Sequence, residues 1–192
     1  MAQMAFSLEE APCGSTGFFT PCTEEGLARL KPVLPDGIIS FGAQTHPADG
    51  NAGMIVTTRE KAAEISAGKG ITIQLLSYGF ARAKKARMAA AVTPAAQMAL
   101  RNAGIKVEDL AAVKTHNPFT VNDIVMGKLM GINQKMFNNY GSSLIFGHPQ
   151  GPTGMRLTIE LIEELVLKGG GYGLFAGCAA GDTAAALVLK VN

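Results

Sequence analysis

An α/β layered fold, a mixed β-sheet flanked by helices on both faces, is predicted by three observations. Amphipathic helical stretches alternate with short apolar strand patterns along the chain. Glycine and proline punctuate the joints between them. Apolar residues make up 47% of the 192 residues and charged residues only 17%, so a substantial core is available to one domain. The 23 glycines and abundant alanines point to tight helix–sheet packing, because the apolar residues are periodic.

Residues 1–22 have no periodicity and hold Pro12, Gly14, Gly17 and Pro21, so they read as an N-terminal arm; residues 23–192 read as the domain. Thr23 caps a short helix from Glu24 to Leu30, with acids in its first turn as the helix dipole favours. Ala52 to Thr58 is an apolar, β-branched strand pattern, and Arg59 to Ser66 a helix ended by Gly68. Ile71 to Phe80 alternates as a long strand. Thr93-Pro94 opens a helix with proline at its first position, and that helix stops at Gly104. Ala111 to Thr115 is a brief strand that ends at His116-Asn117-Pro118-Phe119. Asn122 to Met130 is helical, with Met126, Leu129 and Met130 on one side as core filler. Pro152 to Lys168 carries a core stripe of Met155, Leu157, Ile159, Ile162, Leu165 and Val166, and three glycines end it. Tyr172 to Ala176 and Ala184 to Val191 complete the set as adjacent strands.

Charge excludes several function classes. A net charge of +2 is too mild for a nucleic-acid partner, and the basic cluster Arg82 to Arg87 has no interleaved aromatics, so it reads as solvated surface. No apolar run approaches the ~20 residues that cross a bilayer, so no membrane partner is expected. Cys13, Cys22 and Cys178 are an odd number behind an N-terminus without secretory character, which gives the expectation of a cytoplasmic chain with reduced thiols. No metal site is expected.

The chemistry concentrates in two glycine-framed patches. Gly147-His148-Pro149-Gln150-Gly151-Pro152-Thr153-Gly154 runs into an amphipathic helix, and Gly177-Cys178-Ala179-Ala180-Gly181-Asp182 lies between two strands. Each holds one base- or nucleophile-type residue among small residues, where backbone and substrate approach closely. A lone histidine after a strand is usually structural, and a cysteine among small residues is usually an inert packed thiol.

This pair of patches, in this order, resembles the C-terminal half of a thiolase. Glu24 to Leu34 looks like that domain's opening, Asp49-Gly50-Asn51-Ala52-Gly53-Met54-Ile55-Val56 matches the stretch before its next strand, and the resemblance covers residues 23–192. It implies a thiolase-like half fold. It implies that His148 activates a nucleophilic cysteine and helps bind the thioester oxygen, and that Cys178 is the acid/base moving the α-proton. Where most thiolases have Asn-Glu-Ala-Phe, this chain has His116-Asn117-Pro118-Phe119, similar to the His-Asp-Cys-Phe variant of sterol-carrier-protein thiolases. That places His116 at the oxyanion hole, where a neutral N–H donates to developing negative charge. The resemblance further implies backbone or oxyanion contacts at Gly147, Asn117 and Ala180 and substrate contacts at Phe119 and Pro149. Ala180 stands where thiolases usually have glycine, and Asn117-Pro118 removes the usual glutamate.

Thiolases place their acyl-accepting cysteine in the N-terminal half, at a helix start that lowers its pKa. Cys13 sits in Pro12-Cys13-Gly14-Ser15-Thr16-Gly17, superficially like a nucleophile motif, but no strand pattern precedes it and no helix follows. Met1 stands a few residues ahead of the domain's opening, which gives the expectation of a split thiolase. A partner subunit would then supply the N-terminal half and the nucleophile, in a hetero-oligomer built on a thiolase dimer. Coenzyme A and acyl-CoA are the implied substrates, with no permanently bound cofactor. Two rivals stand beside this reading: a non-catalytic thiolase-like scaffold, which needs neither His148 nor Cys178, and a decarboxylating ketoacyl-synthase-type enzyme, which uses two histidines and no Cys178.

Overall fold

The computed structural model describes residues 23–68 and 70–192. The expected arm and the readings placed on Cys13 and Cys22 lie outside the described residues. Four strands form the predicted mixed sheet: β1 (Ile73–Arg82), β2 (Leu110–His116), β3 (Gly171–Ala179) and β4 (Thr183–Val191), in spatial order β1-β4-β3-β2. β4 runs antiparallel to both β1 and β3, whereas β2 is parallel to β3. The parallel pair brings the C-terminal ends of β2 and β3 to one edge of the sheet, where open α/β sheets place their ligands.

Side chains alternate across the sheet and each face has its own core. Val113, Leu174, Ala176, Ala184, Ala186 and Val188 face α3 (Met88–Ala103) and α4 (Val121–Met130). Ala112, Phe175, Leu189 and Val191 face α6 (Thr153–Leu167). α3 lies very close to the sheet because the contact is alanine on glycine: Ala91, Ala95, Ala96 and Ala99 are fully buried, and a Cβ at Gly79 would overlap the Ala95 carbonyl. Two short helices, α1 (Glu24–Ala28) and α2 (Arg59–Ile65), are exposed; Thr23 caps the first as expected, and Thr58 caps the second.

Four sequence expectations need correction. α3 opens at Met88, which puts Pro94 inside the helix. Burial of Ala91 and Val92 against the sheet outweighs the lost backbone donor, a cost of about 3 kcal/mol for an interior proline. Residues 52–58 form no strand; Ile55 and Val56 are exposed and no described strand lies beside them, so their β propensity finds no ladder. On α6 the buried stripe is Leu157, Leu161 and Leu165 at a spacing of one turn, and Met155 and Val166 point outward. On α4, Met126 is buried in the core while Leu129 is exposed.

One half of the α6 face stays uncovered. Ile73, Leu75, Tyr78 and Phe80 of β1 pair with Val191, Leu189, Leu187 and Ala185, so they point to the α6 side, and all four are about half exposed or more. A short turn, α5 (Ser143–Phe146), leads into the loop before α6.

Candidate active site

β2 delivers His116 to the sheet edge, β3 delivers Cys178 beside it, and the loop ahead of α6 delivers His148. The imidazole centroids of His116 and His148 are 4.3 Å apart with planes tilted by 39°. Both rings and Cys178 line one cleft with Met88, Pro118, Gln150, Thr153 and Ala180. The two glycine-framed patches and the end of β2 thus meet at one site.

Each imidazole is held through Nδ1 by a hydroxyl. Ser143 Oγ lies 2.8 Å from His116 Nδ1, and Thr153 Oγ1 lies 2.8 Å from His148 Nδ1. No described residue bonds either Nε2. Both rings stay neutral near pH 7. Burial lowers the His116 pKa to about 4, helped by His148 and by Arg156. Burial and then Arg156 lower that of His148. The Cys178 thiol is pushed up by burial, against the opposing effects of its own backbone and of Asn122. At rest it is a thiol, the form that can give a proton.

The loops carrying these side chains are fastened by backbone bonds from residues 43–46. The His148 N–H donates to the His46 carbonyl at 2.8 Å, and the Thr45 N–H donates to the Pro118 carbonyl at 2.8 Å. The Thr120 N–H donates to the Ala43 carbonyl at 3.0 Å, and Thr45 Oγ1 donates to the Ser143 carbonyl. Below the pair, Arg156 Nη2 donates to the Gly147 carbonyl at 3.3 Å while its Nε pairs with Glu160 at 3.2 Å. The fully buried Lys114 stands 3.4 Å from the same Glu160 and donates to the Gly141 carbonyl at 3.0 Å. These charges explain why the residue two before His116 can be a buried lysine: it is paired and hydrogen-bonded.

The remaining predicted residues take varied places. Ala180 lines the cleft, and the left-handed backbone that follows falls on Gly181 and Asp182, so alanine at 180 carries no strain there. The Asp182 carboxylate accepts from the backbone N–H groups of Ala86 and Arg87 at the start of α3, fixing the turn after Cys178. Asn117 does not line the cleft; its amide donates to Asp123 at 2.7 Å. Asp123 also accepts from Thr115 Oγ1 and from Asn138 at 3.1 Å. This carboxylate ties the loop after β2 to α4. Phe119 is half-buried and bridges to Gln44, so Pro118, not Phe119, forms the cleft wall. Gly147 (φ 82°) fits against His46 and Ala48, and Pro149 packs over Gly50; neither lines the cleft.

Sequence reasoning missed Ser143, Asp123, Asn122 and the 43–46 strap. Thr153 lies within the Gly147–Gly154 motif, and its hydroxyl partners His148. Only the Gly141-Ser142-Ser143 run, with serine as the N-cap of α5, carried a local signal for Ser143.

Comparisons with known proteins place the family and the fold. A family model described as thiolase, C-terminal domain, matches residues 70–191. A protein of Mycobacterium leprae described as "Probable acetyl-CoA acetyltransferase" is 31% identical over 169 residues, covering 86% of this chain and 42% of that protein. A 3-ketoacyl-CoA thiolase of Vibrio vulnificus is 31% identical over 163 residues, covering 81% and 41%. The solved acetyl-CoA acetyltransferase of Bacillus anthracis superposes with a TM-score of 0.81 at 29% identity, over 88% of this chain and 43% of that one. The chain thus spans less than half the length of the relatives it matches.

Proposed function

The chain belongs to the thiolase family, as a C-terminal domain, and from that premise we propose that it forms one half of the active site of an acyl-CoA C-acyltransferase. The observation that carries the reading is the convergence of two neutral imidazoles, 4.3 Å apart, with a protonated thiol on the same cleft wall. In the degradative direction, a cysteine from the N-terminal half attacks the keto carbon of a 3-oxoacyl-CoA, and His148 accepts its proton. The Cα–Cβ bond breaks, and the departing thioester enolate is held by N–H donors at His116 and His148. Cys178 gives its proton to the enolate carbon, and coenzyme A then takes the acyl group from the partner cysteine. Condensation is the same path reversed.

The N-terminal half comes from a partner chain in this reading. Two features support it. The exposed apolar face of Ile73, Leu75, Tyr78 and Phe80 is on the same side of the sheet as α6, uncovered by it, and wants an apolar cover. The apolar run Met54-Ile55-Val56 is exposed without a described neighbour, as a strand completed by another chain would be. The site works in a water-filled compartment of the cell, and the cytoplasm fits the free thiol at Cys178; among the described residues no helix is long and apolar enough to cross a membrane.

The test is thiolysis of acetoacetyl-CoA by the 192-residue chain alone and after mixing with a co-expressed thiolase N-terminal half. Activity is expected only in the mixture. Robust turnover by the isolated chain, abolished by Cys13→Ala, would overturn the two-chain reading.

A further inference from the structure

The amide of Asn122 has one partner among the described residues, and that partner is the Cys178 sulfur. Asn122 sits in the first turn of α4 and is only 3% exposed. Its Nδ2 donates to Cys178 Sγ at 3.6 Å, within range for a sulfur acceptor. Its Oδ1 is buried with no hydrogen-bond partner. A buried amide is ordinarily satisfied at both ends, so a half-used one beside a reactive thiol calls for an explanation.

We infer that Asn122 is a positioning residue for Cys178 that can bond either protonation state and favours the thiolate, because a hydrogen bond to the charged sulfur is the stronger of the two. An amide carries a donor and an acceptor at the two ends of one planar group. With Nδ2 toward the sulfur it donates to the thiolate. Turned by half a rotation about its last bond, it offers Oδ1 to the thiol S–H, and no other bond of the side chain is lost. In the proton transfer the S–H bond breaks as the C–H bond of the product forms, and the amide turns from accepting to donating. A hydroxyl could also do both, but it lacks the fixed reach of an amide anchored on α4. A carboxylate would only accept, and an aliphatic group would do neither.

The neighbouring charges leave this role open to Asn122. His116 and His148 line the cleft beside Cys178, and Arg82 lines the space on the other side of it. None of them is hydrogen-bonded to the sulfur. Asp123, next to Asn122 on α4, is turned to Thr115, Asn117 and Asn138.

The inference rests on Cys178 acting as the acid/base, but its test needs no turnover. In the full 192-residue chain carrying Cys13→Ala and Cys22→Ala, Cys178 is the sole thiol. The rate of its alkylation by iodoacetamide, followed by mass spectrometry across pH, reports its thiolate fraction. Asn122→Leu is expected to raise the titration midpoint by about one pH unit and to slow alkylation below the midpoint roughly tenfold. Asn122→Asp, nearly the same shape, is expected to raise it further, because a second negative charge faces the thiolate. A midpoint equal to the parent's in either variant that keeps a cooperative melt overturns the inference. If Asn122→Leu does not fold, Asn122→Asp decides alone. Shifted midpoints combined with no α-proton exchange in the two-chain enzyme would instead sink the thiolase mechanism and leave the amide's role standing.

Discussion

Acid should destabilise this fold, most of all through His116. His116 is 7% exposed, and its pKa falls from the ordinary 6.5 to about 4, first through burial and then through His148 and Arg156. The unfolded chain therefore binds a proton near pH 6.5 that the folded chain refuses until about pH 4. Wherever the unfolded state binds more protons, stability rises with pH. The fold is thus undiminished above about pH 6.5 and loses stability steadily as the pH falls toward 4. The full difference corresponds to about 3 kcal/mol, of which about 2 kcal/mol is already lost at about pH 5. Urea denaturation of the 192-residue chain and of His116→Asn at about pH 7.5 and about pH 5 reads this directly. The parent should lose about 2 kcal/mol more than the variant over that interval, because the contribution of His148, set by burial and Arg156, is common to both. Equal losses would mean that His116 takes up a proton in the folded state at no cost. A neutral, buried imidazole at the oxyanion position would then be excluded.

Three other outcomes follow from the cleft. Cys178→Ala in the proposed two-chain enzyme should cut α-proton exchange of acetyl-CoA by about 10²–10⁴-fold while acylation of the proposed partner cysteine remains measurable, as expected when a positioned acid/base is lost. His116→Ala should lower turnover by roughly 10²–10³-fold, the scale of one oxyanion donor, and His116→Asn should retain more, because its amide still donates. Asp123→Ala leaves the Thr115 hydroxyl and the Asn117 and Asn138 amides without their shared acceptor. It should cost about 2–4 kcal/mol in a urea titration, and a change within about 0.5 kcal/mol would show that the carboxylate does not organise the loop after β2.

The sheet and the elements flanking the cleft were legible because their signals are local. Gly104 and Gly131 end helices in the left-handed conformation, and Gly181 begins the turn after Cys178, so glycine marks those joints wherever they occur. The glycine-framed motifs locate His148 and Cys178 for the same reason. Ser143, Asn122 and Asp123 left no comparable trace. Each acts on a residue from another element, His116, Cys178 and Asn117 respectively, and polar residues of these types are ordinary at helix starts. The face of α6 was misread in part because the helix is apolar on two sides. Periodicity reports that Met155 and Val166 are apolar, but which side meets this chain's own sheet is decided by Leu161, at one turn from Leu157 and Leu165. The strand expected at residues 52–58 fails for a related reason: a strand is a property of a pair, and its partner is not among the described residues.

The choice of hydroxyls behind the two histidines bears on how they can divide the work. An oxyanion donor at His116 needs its proton on Nε2, so its Nδ1 must accept from the Ser143 hydroxyl. A base at His148 needs a free Nε2 lone pair, so its Nδ1–H must donate to Thr153 Oγ1. A hydroxyl both donates and accepts, so the same kind of partner supports opposite tautomers in two rings 4.3 Å apart. A carboxylate behind either ring would fix one tautomer and favour the imidazolium, raising the pKa that burial here lowers. Two imidazolium ions at this separation would also repel. Arg156 adds to the effect: through the Gly147 carbonyl it holds the loop of His148, and its charge opposes protonation of both rings. The geometry thus keeps both imidazoles neutral while leaving the position of each proton free to follow the proposed reaction, in which a thioester enolate and a cysteine thiol would call on them in turn.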